Sequence, residues 1–267
     1  MRTVPSINPS AGAAPGRVLA GSQTLVRGLE VLQAVAGGAS SLAELSQALG
    51  LTRSTAHRLA ATLVEHRYLT FTPRVGYALG AKLLELGFLA GQQMSLPRIA
   101  RDHLERLAAS TEDTVHLGVL DGSRALYLDK LPGRRRIEIS SRVGERQPLR
   151  STGLGKALIL DGDQAHWREL YAFEDAIGGH RYSVGLADWL ARMADYAARG
   201  RAFDLEENED RIRCVAAPVR DVGGKIVGAI SVSSAAQYMD DDRMEALTGE
   251  VIATAQAISR DLGWNGA

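Results

Sequence analysis

The chain has 267 residues, with 31 Lys+Arg balanced by 31 Asp+Glu, 45% hydrophobic and 23% charged residues. That is ordinary globular composition, and it excludes a disordered, collagen-like or strongly polyelectrolyte chain. A single cysteine excludes an internal disulfide and any multi-cysteine zinc or iron–sulfur site, and points to a reducing cytoplasm.

No run of about 18 apolar residues occurs, so no membrane-spanning helix is expected. Residues 1–21, rich in Ala, Gly, Pro and Ser, read as a disordered tail and not as a signal peptide. The zero net charge conceals a division. Through residue 84, eight basic side chains face three acidic ones, so a basic first third precedes an acidic remainder. This is the pattern of a nucleic-acid-binding module joined to a part that does not touch nucleic acid.

From Gln23 to Ala36, Leu25, Leu29, Leu32 and Ala36 form one apolar helical stripe, predicting a first helix that Gly37-Gly38 ends. Ser41 and Glu44 have capping-box spacing ahead of a short helix burying Leu42, Leu45 and Leu49. Gly50 supplies a tight turn, and Thr52 caps a third helix from Arg53 to about His66. There Ala56, Leu59, Ala60 and Leu63 share a buried face, with Ser54, Arg58 and Ala61 opposite and His57 and Thr62 on the flank. Two helices joined by a glycine turn, the second exposing Ser, His and Arg near its start, fit a recognition helix entering a DNA major groove. A helical bundle with a solvated polar face is the plainer alternative.

Tyr68 to Thr72, a turn at Pro73-Arg74-Val75-Gly76, and Tyr77 to Leu79 then predict a β-hairpin wing with Arg74 at its tip. The DNA-contacting candidates are Arg53, Ser54, Thr55, His57, Arg58 and Arg74. Residues 22–82 form this winged helix-turn-helix, and 83–96 a linker helix closing at Ser95-Leu96-Pro97.

Residues 97–262 are expected to form an α+β domain on an antiparallel sheet. Its predicted elements are a helix from Ile99 to Ala109 and strands Thr114 to Leu120, Ala125 to Leu131 and Ile137 to Val143. Helices Leu154 to Leu160, Gln164 to Phe173 and Leu186 to Ala198 follow, then strands Ile212 to Arg220 and Ile226 to Ser234 and a helix from Asp240 to Leu262.

With Gly223-Gly224 as a two-residue turn, Val222 faces Lys225, Cys214 faces Ser233 and Ala216 faces Ser231. One face then carries these small and weakly polar residues. It either walls a small-ligand pocket or lies under a closely packed helix. Ser151-Thr152-Gly153-Leu154-Gly155-Lys156 opens a helix beside it, which favours a pocket for a small carboxylate.

The chain resembles the IclR-type bacterial transcriptional regulators over residues 22 to about 262. The resemblance lies in Leu42-Ala-Glu-Leu-Ser through Thr52-Arg-Ser-Thr-Ala-His-Arg-Leu59, the wing, and Val115-His-Leu-Gly-Val-Leu-Asp-Gly122. Thr152-Gly-Leu-Gly-Lys-Ala157, Cys214-Val-Ala-Ala-Pro-Val219 and Ile230-Ser-Val-Ser233 complete it. It implies a winged helix-turn-helix joined to a GAF-like effector domain, homodimers or homotetramers, and double-stranded operator DNA whose binding, often repressive, is altered by a small organic or aromatic acid. Carried over here, the effector residues are Gly153, Leu154, Asp204, Cys214, Ser231 and Ser233.

Arg211 and Arg150 depart from the family pattern, and each is expected to reshape the pocket mouth. No metal and no cofactor is expected. The competing class is an enzyme with Cys214 as nucleophile and His116 as base, acting on a small acid.

Overall fold

The computed structural model describes residues 22–135, 139–177 and 184–266; the expected tail lies outside them. The described residues form two compact units, divided between Gln93 and Met94. Unit 1 contains α1 (Gln23–Ala36), α2 (Leu42–Leu49), α3 (Arg53–Glu65), β1 (Leu69–Thr72), β2 (Gly76–Leu79) and α4 (Ala81–Gln93).

Local sequence explains most of these boundaries. Ser41 Oγ accepts from the Glu44 N–H while the Glu44 carboxylate accepts from the Ser41 N–H, a complete capping box. Gly50 ends α2 at φ 60°, in the left-handed region that costs other residues most. Thr52 Oγ1 then accepts from the Thr55 N–H to start α3. The core of the unit is small: Val31, Val35, Leu45, Leu59, Ala60 and Leu69, with Leu32, Leu63 and Tyr77 against them. β1 and β2 pair from Leu69↔Leu79 to Thr72↔Gly76, forming the wing.

Unit 2 opens with α5 (Leu96–Thr111), so only Met94 and Ser95 separate it from α4. Its start precedes the expected Ile99 because Pro97 sits in the first turn, where its fixed φ suits a helix and its missing N–H is not needed. There follow β3 (Thr114–Asp121), β4 (Arg124–Leu131), β5 (Arg146–Pro148), α6 (Gly153–Leu158), α7 (Gln164–Ile177) and α8 (Leu186–Arg199). β6 (Ala202–Leu205), β7 (Ile212–Arg220), β8 (Ile226–Ala235), a 3-10 turn (Ala236–Tyr238) and α9 (Asp241–Asp261) complete it. The six strands lie in the order β5-β4-β3-β8-β7-β6, every pair antiparallel. This is the α+β, GAF-like arrangement.

α5 and α9 cover the aliphatic face of Val215, Ala217, Val219, Ile230 and Val232. A Cβ built on Gly228 of that face would stand 2.8 Å from the Leu96 side chain. α6 lies on the opposite face, beside Cys214, and α8 reaches β6.

Three expectations need correction. Ile137 to Val143 is not a strand where it is described: residues 139–143 are irregular, and the third strand at this edge is β5. The reason is that Lys130 Nζ donates to the carbonyls of Ile139 (2.6 Å) and Ser141 (2.8 Å), supplying the donor a ladder would have provided. The late hairpin does not turn at Gly223-Gly224 with Val222 facing Lys225. Asp221 and Lys225 close it instead, the Asp221 N–H donating to the Lys225 carbonyl, with Gly224 at φ 78°. An extra residue in β8 between Gly228↔Val219 and Ile226↔Arg220 then shifts the register back. Two departures cancel, and Cys214↔Ser233 and Ala216↔Ser231 stand as expected. Third, the edge strand β6 was not anticipated; it pairs Asp204 with Cys214.

Arg211 does not line the cavity described below. It holds φ 63° just before β7, and its carbonyl accepts from the Ala236 N–H at 2.7 Å. A left-handed conformation costs a non-glycine residue about 1–2 kcal/mol, partly offset by the greater chain entropy that glycine brings to the unfolded state. Arg211→Gly is therefore expected to stabilise unit 2 by about 0.5–1 kcal/mol. Urea unfolding checks this, and a lowered midpoint at unchanged slope counts against it.

Candidate functional site

In unit 1, α3 buries Ala56, Leu59 and Ala60 and leaves Arg53, Ser54, His57 and Arg58 exposed. Thr55 is half-buried, and its hydroxyl lies 2.9 Å from Thr52 Oγ1, so much of its bonding capacity belongs to the cap. His57 and Arg74 border an open groove of about 600 Å³ between α3 and the wing, floored by Ala61, Phe71 and Tyr77. Arg58 lies on the other flank, where α3 faces Leu25 and Leu29 of α1. Ser54 falls between the two flanks.

Many arginines of unit 2 are held in ion pairs, which those of this surface are not. Among the described residues Arg53, Arg58 and Arg74 form no ion pair, whereas Arg101 pairs with Asp129, Arg213 with Glu206 and Asp241, and Arg220 with Asp161. Unpaired guanidinium groups on α3 and on the wing are available to phosphates and guanine edges.

In unit 2, the register of β6, β7 and β8 places Asp204, Cys214 and Ser233 side by side. They wall a cavity of about 50 Å³ together with Thr152, His116 and Tyr127. Ile139, Ser140 and Ser141 also line it, held there by Lys130 and by a 2.7 Å bond between Ser141 Oγ and His116 Nε2. Gln147, Asn208, Glu209 and Ile212 complete the lining.

Gly153, Leu154 and Ser231 stand outside this wall. A Cβ on Gly153 would lie 2.4 Å from Cys214 Sγ, so α6 rests directly on the small-residue face, and Leu154 packs over Gly118. Ser231 pairs with His116 and Ala216 on the same face, two residues along β8 from Ser233. The small-residue face thus serves both ways, closely packed under α6 at one end and open at the other. His116, Tyr127, Gln147 and Asn208 were not anticipated as lining residues. For His116 the signal was its alternation with Thr114 on a strand whose other face is aliphatic.

Burial sets the ionisation here. The Cys214 thiol is pushed up to about 12, by burial first and then by Asp204, while N–H groups of Gly153 and Asp204 donate to its sulfur. A thiol so held is not a nucleophile near neutral pH. Burial likewise pushes the Asp204 carboxyl up to about 7, against the opposing pull of Lys156. His116 is driven down to about 3 by burial and by Lys130, so its imidazole is neutral.

Arg150 does not reach the cavity. It is buried, stacks 3.7 Å over the Tyr171 ring and bonds Asp175, which turns it toward α7. Arg135 pairs with the buried Asp113, which Arg243 and Ser234 also bond, so it fastens the sheet to α9. Among the described residues no group of His, Cys, Asp and Glu could hold a metal ion, and no helix is long and apolar enough to cross a membrane.

Comparison with known proteins bears on both units. The family described as IclR helix-turn-helix domain matches residues 24–73, and that described as Bacterial transcriptional regulator IclR C-terminal matches residues 89–260. HTH-type transcriptional regulator XynR of Escherichia coli strain K12 is 32% identical over 252 residues, covering 91% of this chain and 98% of the relative. Transcriptional repressor IclR of the same strain is 30% identical over 252 residues, covering 90% of each. The crystal structure of the Agobacterium tumefaciens repressor BlcR matches with a TM-score of 0.78 at 26% identity, covering 91% of this chain and 98% of that one.

Proposed function

The chain belongs to the IclR family of bacterial transcriptional regulators, and from that premise we propose a repressor whose affinity for operator DNA is set by a small organic effector held in the unit 2 cavity. That it is a DNA-binding regulator and not an enzyme follows from the family.

The observation that carries the finer reading is the contrast between the units. Unit 1 presents unpaired arginines on a helix and a wing, and unit 2 encloses polar groups in a cavity whose thiol is held inert. Arg53, Ser54, His57 and Arg58 are assigned to the major groove and Arg74 to the phosphates or minor groove beside it. Thr55 serves mainly to hold the start of α3. Cys214, Ser233 and Asp204 are assigned to the effector directly, and Gly153, Leu154 and Ser231 to the packing that shapes its cavity.

Exposed Leu25 and Leu29 on α1 and Leu84 and Phe88 on α4 support self-association into a homodimer or homotetramer, which would read a two-fold operator. The cytoplasm, where the operator lies, is the assigned compartment.

Gel shifts on the operator, with wild type and Arg58→Ala across a salt series, test the DNA assignment. The wild type is expected to lose affinity steeply with salt as phosphate contacts release counterions. Arg58→Ala is expected to cost about 1–3 kcal/mol and to relax preference at one base position. Unchanged affinity in the variant would remove Arg58 from the interface, and a flat salt response would contradict the reading as a whole.

A further inference from the structure

Proceeding from the effector cavity just proposed, we infer that residues 139–141 form a strap that opens and closes it, and that the cross-strand pair His116 and Lys130 is the latch on that strap.

The need for a moving wall comes from size. The cavity measures about 50 Å³, room for a few water molecules at roughly 10–15 Å³ each. An organic effector of more than a handful of atoms exceeds that space, so one wall has to give.

The walls differ in how they are held. β7 and β8 are paired from Ile212↔Ala235 to Arg220↔Ile226. α6 has no slack against its surroundings: a Cβ on Gly153 would lie 2.4 Å from Cys214 Sγ, and one on Gly155 would lie 2.6 Å from the Leu149 Cα. On the rim after β6, Glu207 belongs to the buried pair with Lys156, its N–H donates to Asp204, and Asn208 accepts from the Ser151 hydroxyl. The strap has nothing comparable. Among the described residues, 139–141 make no backbone-to-backbone hydrogen bond, and side chains alone fasten them.

Those side chains come from one place. His116 of β3 and Lys130 of β4 stand opposite each other in the ladder, so both rise from the same face of the sheet. Lys130 Nζ donates to the Ile139 and Ser141 carbonyls, and His116 Nε2 lies 2.7 Å from Ser141 Oγ. Two of these three bonds are undone by one rotation of the Lys130 side chain. Closure also leaves the His116 Nδ1 atom buried with no partner among the described residues, and water admitted on opening satisfies it. The latch therefore works against a stranded nitrogen, which favours reversible opening.

Cys214, the one cysteine of the sequence, lines the cavity and reports the opening. While the strap is shut, burial pushes its thiol up to about 12, which makes it a poor nucleophile. Once hydrated, a cysteine titrates near its ordinary value of about 8.5 and reacts with iodoacetamide. The bond from Sγ to carbon forms, iodide leaves, and the thiol proton goes to solvent.

The test is the rate of this alkylation in the full chain at about pH 8, read by mass spectrometry beside hydrogen exchange. Lys130→Met keeps the apolar stem and removes two bonds of the latch, and is expected to raise the rate about tenfold or more. Ser141→Ala severs only the His116 bond and should raise it a few-fold. Ser151→Ala, which frees Asn208 on the opposite rim, should leave it unchanged. Protection in β7 and β8 is expected to stay at the wild-type level in all three, because the opening is local.

Alkylation of Lys130→Met at the wild-type rate overturns the strap; where that variant does not fold, the wild-type rate in Ser141→Ala does so. Acceleration that comes only with lost protection in β7 and β8, or that is as large in Ser151→Ala, overturns it equally. None of these outcomes touches the effector reading, which the alkylated protein tests separately. An acetamide group seated in the cavity that leaves operator affinity unchanged counts against that reading, whatever the strap does.

Discussion

Replacing Glu207 by alanine is expected to destabilise unit 2 by about 3–5 kcal/mol, the cost of leaving a buried charge without its partner. The Lys156 and Glu207 side chains are 1% and 3% exposed, and their charged atoms lie 2.5 Å apart. Lys156 Nζ also donates to the Phe203 carbonyl at 2.8 Å, and Arg192 to the other Glu207 oxygen at 2.9 Å. After truncation Arg192, 38% exposed, rehydrates at little cost. Lys156 cannot, and one backbone carbonyl does not replace a carboxylate in a medium of low polarity.

The loss falls on the seam between α6 and β6, where Thr152 and Asp204 wall the unit 2 cavity. For a unit of this size the midpoint of thermal unfolding should drop by roughly 10 °C. Pairing Glu207→Leu with Lys156→Met should restore most of the stability, because apolar groups of similar volume remove the stranded charge. A single-variant loss under about 1 kcal/mol, or a double variant no better than the single, would show that water reaches the pair.

Features decided over three or four residues were legible in the sequence. The Ser41–Glu44 box, the Thr52 and Thr152 caps and the Gly50 turn all lie where side chain and backbone meet within one turn. The winged helix-turn-helix was readable for that reason.

The sheet was readable only where errors compensated. A three-residue loop replaced the two-residue turn, and an extra β8 residue restored the pairing that brings Cys214 to Ser233. No local signal marks such a bulge. β6 was illegible because the four residues following Arg201 acquire strand character only by pairing with β7. The segment at 139–143 misled because its alternation is strand-like, yet two of its carbonyls are claimed by Lys130, nine and eleven residues earlier in the chain. The site followed the same rule. Asp204, Cys214 and Ser233 came from strand register and family pattern, whereas His116, Tyr127, Gln147 and Asn208 depend on which elements the tertiary structure places around the cavity.

Gly76→Ala is expected to undock the wing and abolish tight operator binding while unit 2 remains folded. Gly76 has φ 107°, and a Cβ built on it would lie 2.1 Å from the Ser40 carbonyl oxygen and 2.9 Å from its carbon. Both are backbone atoms, so no side-chain rotation relieves the contact. The same carbonyl accepts from the Tyr77 N–H at 2.7 Å, and the Ser40 N–H donates to Glu44, so the wing is fastened to the segment that caps α2.

Strain at this φ costs about 1–3 kcal/mol, and loss of the Tyr77 bond about 1 kcal/mol more. Against a core of six buried side chains, a penalty on the order of 3 kcal/mol is decisive for the hairpin. Hydrogen exchange should show protection lost over Leu69–Thr72 and Gly76–Leu79 but kept in β7 and β8. The contrast with Arg74→Ala isolates the cause: that change removes one cation from an intact wing, and should reduce the salt dependence of binding by about one counterion without altering exchange. If Gly76→Ala leaves both protection and operator affinity unchanged, the wing is not held by this contact and its role in DNA binding must rest on Arg74 alone.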